Sequence, residues 1–71
     1  MIEFHMCKTI GALSYPNNGM VKELNMVSWN RREPVYDIRT WDAEHKCYGK
    51  GVTLTHLELK RLKEILGDMK I

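Results

Sequence analysis

Seventy-one residues make one small domain, residues 1–71, with no room for a second core. A chain of this size buries only about 60% of its unfolded surface, and two cysteines are too few for a disulfide framework, so a partner subunit is the expected source of further burial. A net charge of +2 does not demand a polyanionic partner, and no apolar run approaches the length of a membrane span.

The charge is spread rather than concentrated. Residues 1–30 balance Lys8 and Lys22 against Glu3 and Glu23, and residues 31–50 carry a surplus of one cation. The opening MIEFHMCK lacks the basic start and long apolar run of a secretory leader, so a reduced, cytoplasmic setting is expected.

A first strand is read at residues 2–13, where Ile2, Phe4, Met6, Ile10 and Ala12 share one parity and Lys8 breaks it. Tyr15-Pro16-Asn17-Asn18-Gly19 is a turn signal, because Pro fixes φ while Asn and Gly tolerate positive φ. A second strand is predicted at 20–30 and a connection at Arg31-Arg32-Glu33-Pro34, with Pro34 marking a strand edge. The third strand, 35–42, alternates. Tyr36 and Ile38 take the core side, and Asp37, Arg39 and Trp41 the other. Residues 43–50 read as a polar connection and 51–54 as a short fourth strand with Val52 and Leu54 toward the core.

Thr55-His56-Leu57-Glu58 fits a capping box, in which the hydroxyl and the carboxylate each satisfy a free backbone N–H. Behind it, Leu59, Leu62, Ile65, Leu66 and Met69 form an apolar stripe at helical spacing. Gly67 either closes that helix or weakens its last turn. One helix cannot cover a whole four-stranded sheet, and the stripe is wider than a small sheet needs. A helix-to-helix dimer contact through Leu62, Ile65, Leu66 and Met69 accounts for the surplus.

Motifs for chemistry are few. His5, Cys7, His45 and Cys47 lack the paired spacing of a zinc site, so no metal or other cofactor is expected. His45 and Cys47 share a polar turn without an oxyanion-hole motif, and Gly49-Lys50-Gly51 is too short for a phosphate loop. Asp37, two residues from Arg39 on one strand face, reads as its ion-pair partner rather than as a general base. The chain is therefore not expected to be an enzyme. Arg39 and Trp41 instead set a guanidinium beside an indole, which Trp29 on the neighbouring strand extends. Aromatic faces stack on bases and cations neutralise phosphates, which is what binding a single strand requires. The same residue types also suit an ordinary sheet surface or a contact for a protein partner.

The ordered set V-S-W-N, D-I-R-T-W, G-K-G-V-T-L and a C-terminal L-K-x-I-L helix resembles the single-stranded-DNA-binding domain of the transcriptional coactivator positive cofactor four, and more closely its small bacterial YdbC-type relatives. The resemblance runs from about Lys22 to Ile71. It implies an α+β homodimer, each subunit a strongly curved four-stranded antiparallel sheet followed by one helix, that binds unpaired DNA largely without sequence preference. Arg39 and Trp41 match the family's D-I-R-x-W contacts, Lys50 its G-K-G lysine and Trp29 its bacterial V-S-W-N element. Lys22, Asn30 and Arg32 complete the expected interface. The second-to-third-strand loop is shorter here and carries no aromatic residue. The resemblance further implies a cytoplasmic, nucleoid-associated role in transcription regulation or the handling of unpaired strands, with RNA and transcription-machinery proteins as further partners.

Overall fold

The computed structural model describes residues 2–71. Four strands, β1 (Phe4–Ala12), β2 (Met20–Trp29), β3 (Val35–Asp42) and β4 (Tyr48–Leu54), are followed by one helix, α1 (His56–Asp68). The strands pair antiparallel in chain order, giving the expected α+β arrangement. The β1–β2 hairpin closes on Asn18 and Gly19, both at positive φ, with Asn17 and Met20 exchanging backbone hydrogen bonds of 2.8 and 3.0 Å. That is the two-residue turn whose twist suits flanking strands.

Two bulges in β1 explain why its alternation fails at Lys8. The register steps from Met6↔Val27 to Lys8↔Met26, and again from Thr9↔Asn25 to Gly11↔Leu24, so Cys7 and Ile10 are extra residues. Each extra residue moves the following side chains to the other face of the sheet. The N–H of Ile10, displaced from the ladder, donates to Oδ1 of Asn25 (3.2 Å), which accounts for an amide side chain buried in mid-strand.

The sheet is strongly curled. Trp41 stands opposite Val21, eight residues from Trp29 along β2 or about 26 Å on a flat strand, yet the two indole rings lie 6.3 Å apart. Phe4 from the start of β1 and Tyr48 from the start of β4 join them, with rings 5.5 Å apart. One face has closed on itself.

That closure inverts the expected core. Val27, Trp41, Asn25 and Asp37 are the fully buried side chains, and all four belong to the concave face, through the pairs Val27↔Val35, Asn25↔Asp37 and Val21↔Trp41. Tyr36 and Ile38, expected on the core side, are half-buried on the convex face, and Val52 is 52% exposed. Alternation along β3 separates the two sets correctly, but the direction of curl decides which set goes inside.

The capping box forms as read, with Thr55 Oγ1 accepting from Glu58 N (3.1 Å) and Glu58 Oε1 accepting from Thr55 N (2.8 Å). Gly67 lies within the helix, not past its end. Among the described residues, the helix meets only β3 and β4 and buries no residue fully. Between α1 and the convex face runs an open apolar cleft of about 660 Å³, lined chiefly by Leu13, Leu24, Ile38, Leu59, Leu62 and Leu66. Ile65, Leu66 and Met69 are 41%, 46% and 48% exposed. Among the described residues, no helix is long and apolar enough to cross a membrane.

Candidate nucleic-acid interface

The concave face gathers the aromatic residues into one cluster. Phe4, Trp29, Trp41 and Tyr48 touch pairwise with ring centroids 5.1 to 6.3 Å apart, and Trp29 and Trp41 are inclined by only 18°. Edge-to-face and offset contacts of this kind add to the burial of the rings. Arg39 completes the layer, its guanidinium carbon 4.5 Å from the centre of the Trp29 ring and 5.6 Å from that of Tyr48.

Arg39 is held in that position. Its Nε donates to both carboxylate oxygens of Asp37 (2.7 and 2.8 Å), and Nη1 reaches the carbonyl of Gly49 at 3.4 Å. This is the ion pair expected from the spacing, with the Asp37 side chain wholly buried and that of Arg39 13% exposed. Gly51, opposite Arg39 on β4, leaves room for it. A Cβ there would collide with Cβ of Arg39 and the carbonyl of Ile38.

Trp41 and Lys22 fall differently from the sequence reading, Asn30 lies just past β2 rather than at its end, and Arg32 sits in the connection where it is expected. Trp41 is not an open stacking platform, because the curl packs Phe4, Trp29 and Tyr48 around it and leaves it 0% exposed. Lys22 is exposed but pairs with Thr40 and shares the convex face with Leu24, away from the aromatic cluster. Asn30 acts in a turn. At positive φ, it donates its N–H to the Glu3 carbonyl (2.8 Å) and accepts from Glu3 N (2.9 Å), tying the start of β1 to the β2–β3 connection. Arg32 is exposed in that connection, where its N–H donates to the carbonyl of Trp29 (3.0 Å) and its own carbonyl accepts from Ser28 Oγ (2.6 Å).

Trp29 and Arg39 do come together, half-buried at the rim of the cluster, and Lys50 is exposed at the β3–β4 register shift. Trp29 and Trp41 carry the two buried indole N–H groups that have no hydrogen-bond partner among the described residues.

Sequence reasoning missed Tyr48 and Phe4 as members of the cluster. Tyr48 falls within the polar connection read at 43–50, yet β4 begins there. It also missed Glu23, whose Oε1 accepts from Asn25 Nδ2 (2.8 Å) and meets His45 Nε2 (2.8 Å). Asn25, polar in the middle of an apolar strand, was the available signal.

A scan against known protein-family models gives no match. A protein of Treponema pallidum (strain Nichols), described as an uncharacterized protein, is 41% identical over 71 residues, covering 97% of this chain and 84% of that one. The chain belongs to that protein's family. A match over so much of the chain is not confined to the region from Lys22 onward and extends into the part before it.

Proposed function

We propose that the chain is a non-catalytic single-stranded-DNA-binding protein that acts as a homodimer, in transcription regulation or the handling of unpaired strands. The observation that carries this reading is the Arg39 guanidinium layered on the Trp29 indole at 4.5 Å, at the rim of an aromatic cluster on a concave sheet. Bases stack on such rings at about 1–3 kcal/mol each, whatever the base, so the same surface serves any sequence. Trp29 and Tyr48, both half-buried, offer the stacking rings, and Lys50, exposed on β4, offers a cation. The D-I-R-T-W and G-K-G-V-T-L motifs, as they resemble those of positive cofactor four, point the same way.

The helix supports the dimer. Its stripe residues Ile65, Leu66 and Met69 remain exposed beside an apolar cleft, and a second copy of the same helix matches both in chemistry. Burial there is worth about 25 cal/mol per Å² of apolar surface.

Titration of labelled oligo(dT) against matched duplex, at several salt concentrations, tests the reading. The expected result is preference for the single strand, with log affinity falling linearly in log salt. Trp29→Ala should weaken binding by about 1–3 kcal/mol, the scale of one lost stacking platform. Failure to bind the single strand, or equal binding of duplex, would refute the assignment and leave a protein-binding surface centred on Trp29 and Arg39.

A further inference from the structure

The concave face carries more negative charge than a nucleic-acid surface should. Glu23 stands opposite Arg39 across the β2–β3 ladder but does not pair with it. Asp37 holds the guanidinium instead, and Glu23 turns to Asn25 and to His45, 22 residues away in the β3–β4 connection. Both members of the Glu23–His45 pair remain partly accessible, at 16% and 32% of the side chain. Among the described residues, Glu23, Asp37 and Arg39 are the charged side chains that the β2–β3 register sets on this face, and His45 reaches it from the loop. With a neutral imidazole the face bears one surplus negative charge; a proton on His45 removes it.

His45 is built into its position. It sits at φ 57° in a turn where its N–H donates to the Asp42 carbonyl (3.0 Å), and its ring lies 5.8 Å from that of Trp41. A non-glycine residue in this region of φ is uncommon, although His is among the types enriched there. The other charged groups of this turn have partners of their own. The backbone N–H of Cys47, and more weakly that of Lys46, holds the Asp42 carboxyl below its ordinary value. Glu44 and Lys46 pair with each other in solvent at 3.2 Å. On the β1 side, uncharged Thr9, Ile10, Gly11 and Ala12 line a hollow together with Glu23, Asn25 and His45.

We propose that a single strand binding to this face takes up a proton at His45, so that the Glu23–His45 pair makes affinity fall as pH rises through the histidine range. This rests on the binding reading above. Histidine is the side chain whose charge ordinarily changes within the pH range a cell can reach. One unit charge about 8 Å from a phosphate, at an effective dielectric constant of about 40, changes affinity about fivefold.

The test is fluorescence anisotropy of labelled oligo(dT) from pH 5.5 to 8.5 at constant ionic strength, on the wild type, His45→Gln, His45→Lys and Glu23→Gln, with circular dichroism to confirm folding. The wild type should lose about fivefold more affinity across that range than His45→Gln. His45→Lys should keep its low-pH affinity at pH 8, and Glu23→Gln should bind more tightly than the wild type there. A His45→Gln profile as steep as the wild type's overturns the proposal and leaves the binding reading intact. No salt-dependent binding at any pH overturns both.

Discussion

Replacing Trp41 with alanine should unfold the protein or come close to it. Trp41 is 0% exposed and touches Phe4, Trp29, Tyr48 and His45 with ring centroids 5.2 to 6.3 Å away, so truncation removes an indole from a cluster to which all four strands contribute. Trp→Ala in a packed interior costs about 3–5 kcal/mol, and the upper end applies where neighbours cannot collapse into the space. Collapse is hindered here because Arg39, layered on Trp29, is fastened to buried Asp37. A domain of this length has about 4–11 kcal/mol of total stability, so the loss takes from about a quarter of it to all of it. The assay is urea unfolding followed by circular dichroism, with protein concentration fixed because a dimer's midpoint depends on it. At about 1 kcal/mol per M, the midpoint should fall by about 3–5 M or vanish, while Trp41→Phe, which keeps a ring in the cluster, should remain folded. A Trp41→Ala midpoint within 1 M of the wild type would refute the cluster as the core and restore Trp41 as an open binding surface.

Three other outcomes are expected. Lys50→Gln should flatten the line of log affinity against log salt by about 0.7, the slope for one phosphate contact on a single strand, whereas Arg39→Gln should weaken binding with little change in slope because Asp37 already neutralises Arg39. Ile65→Glu and Met69→Glu should each give monomers in sedimentation equilibrium, since either would place an unpaired carboxylate in the helix contact; a wild-type monomer would refute the dimer. Asp42, held below its ordinary value of 3.8 chiefly by the Cys47 N–H, contributes stability that is complete above its unfolded value and lost as pH falls through the lower folded one. Asp42→Asn should therefore show a shallower fall in stability than the wild type between about pH 4 and pH 2 in acid unfolding, and identical curves would remove that carboxylate from the balance.

Local chemistry was legible in the sequence. The Asn18-Gly19 turn, the bounds of β3, the Thr55–Glu58 capping box and the Asp37–Arg39 pair each depend on residues a few positions apart, and the structure has all of them. The face of the sheet that becomes the core was not legible. It is decided by Phe4 meeting Tyr48, and Trp29 meeting Trp41, contacts that no window of a few residues contains. Both faces of β3 carry large side chains, so alternation sorts them without ranking them. The site followed the same division. Trp29 and Arg39 meet as their strand positions suggest, while Trp41 is drawn inward by the curl and Lys22 is left on the far side.

The interruptions in β1 bear on how the protein stays dispersed. An edge strand with an unbroken row of backbone donors and acceptors is a template on which further chains can add, the first step toward fibres. Here Cys7 and Ile10 break that row twice within nine residues, and Ile10 turns its N–H inward to Asn25. Deleting either residue would straighten the strand. The penalty would then appear as concentration-dependent precipitation during expression.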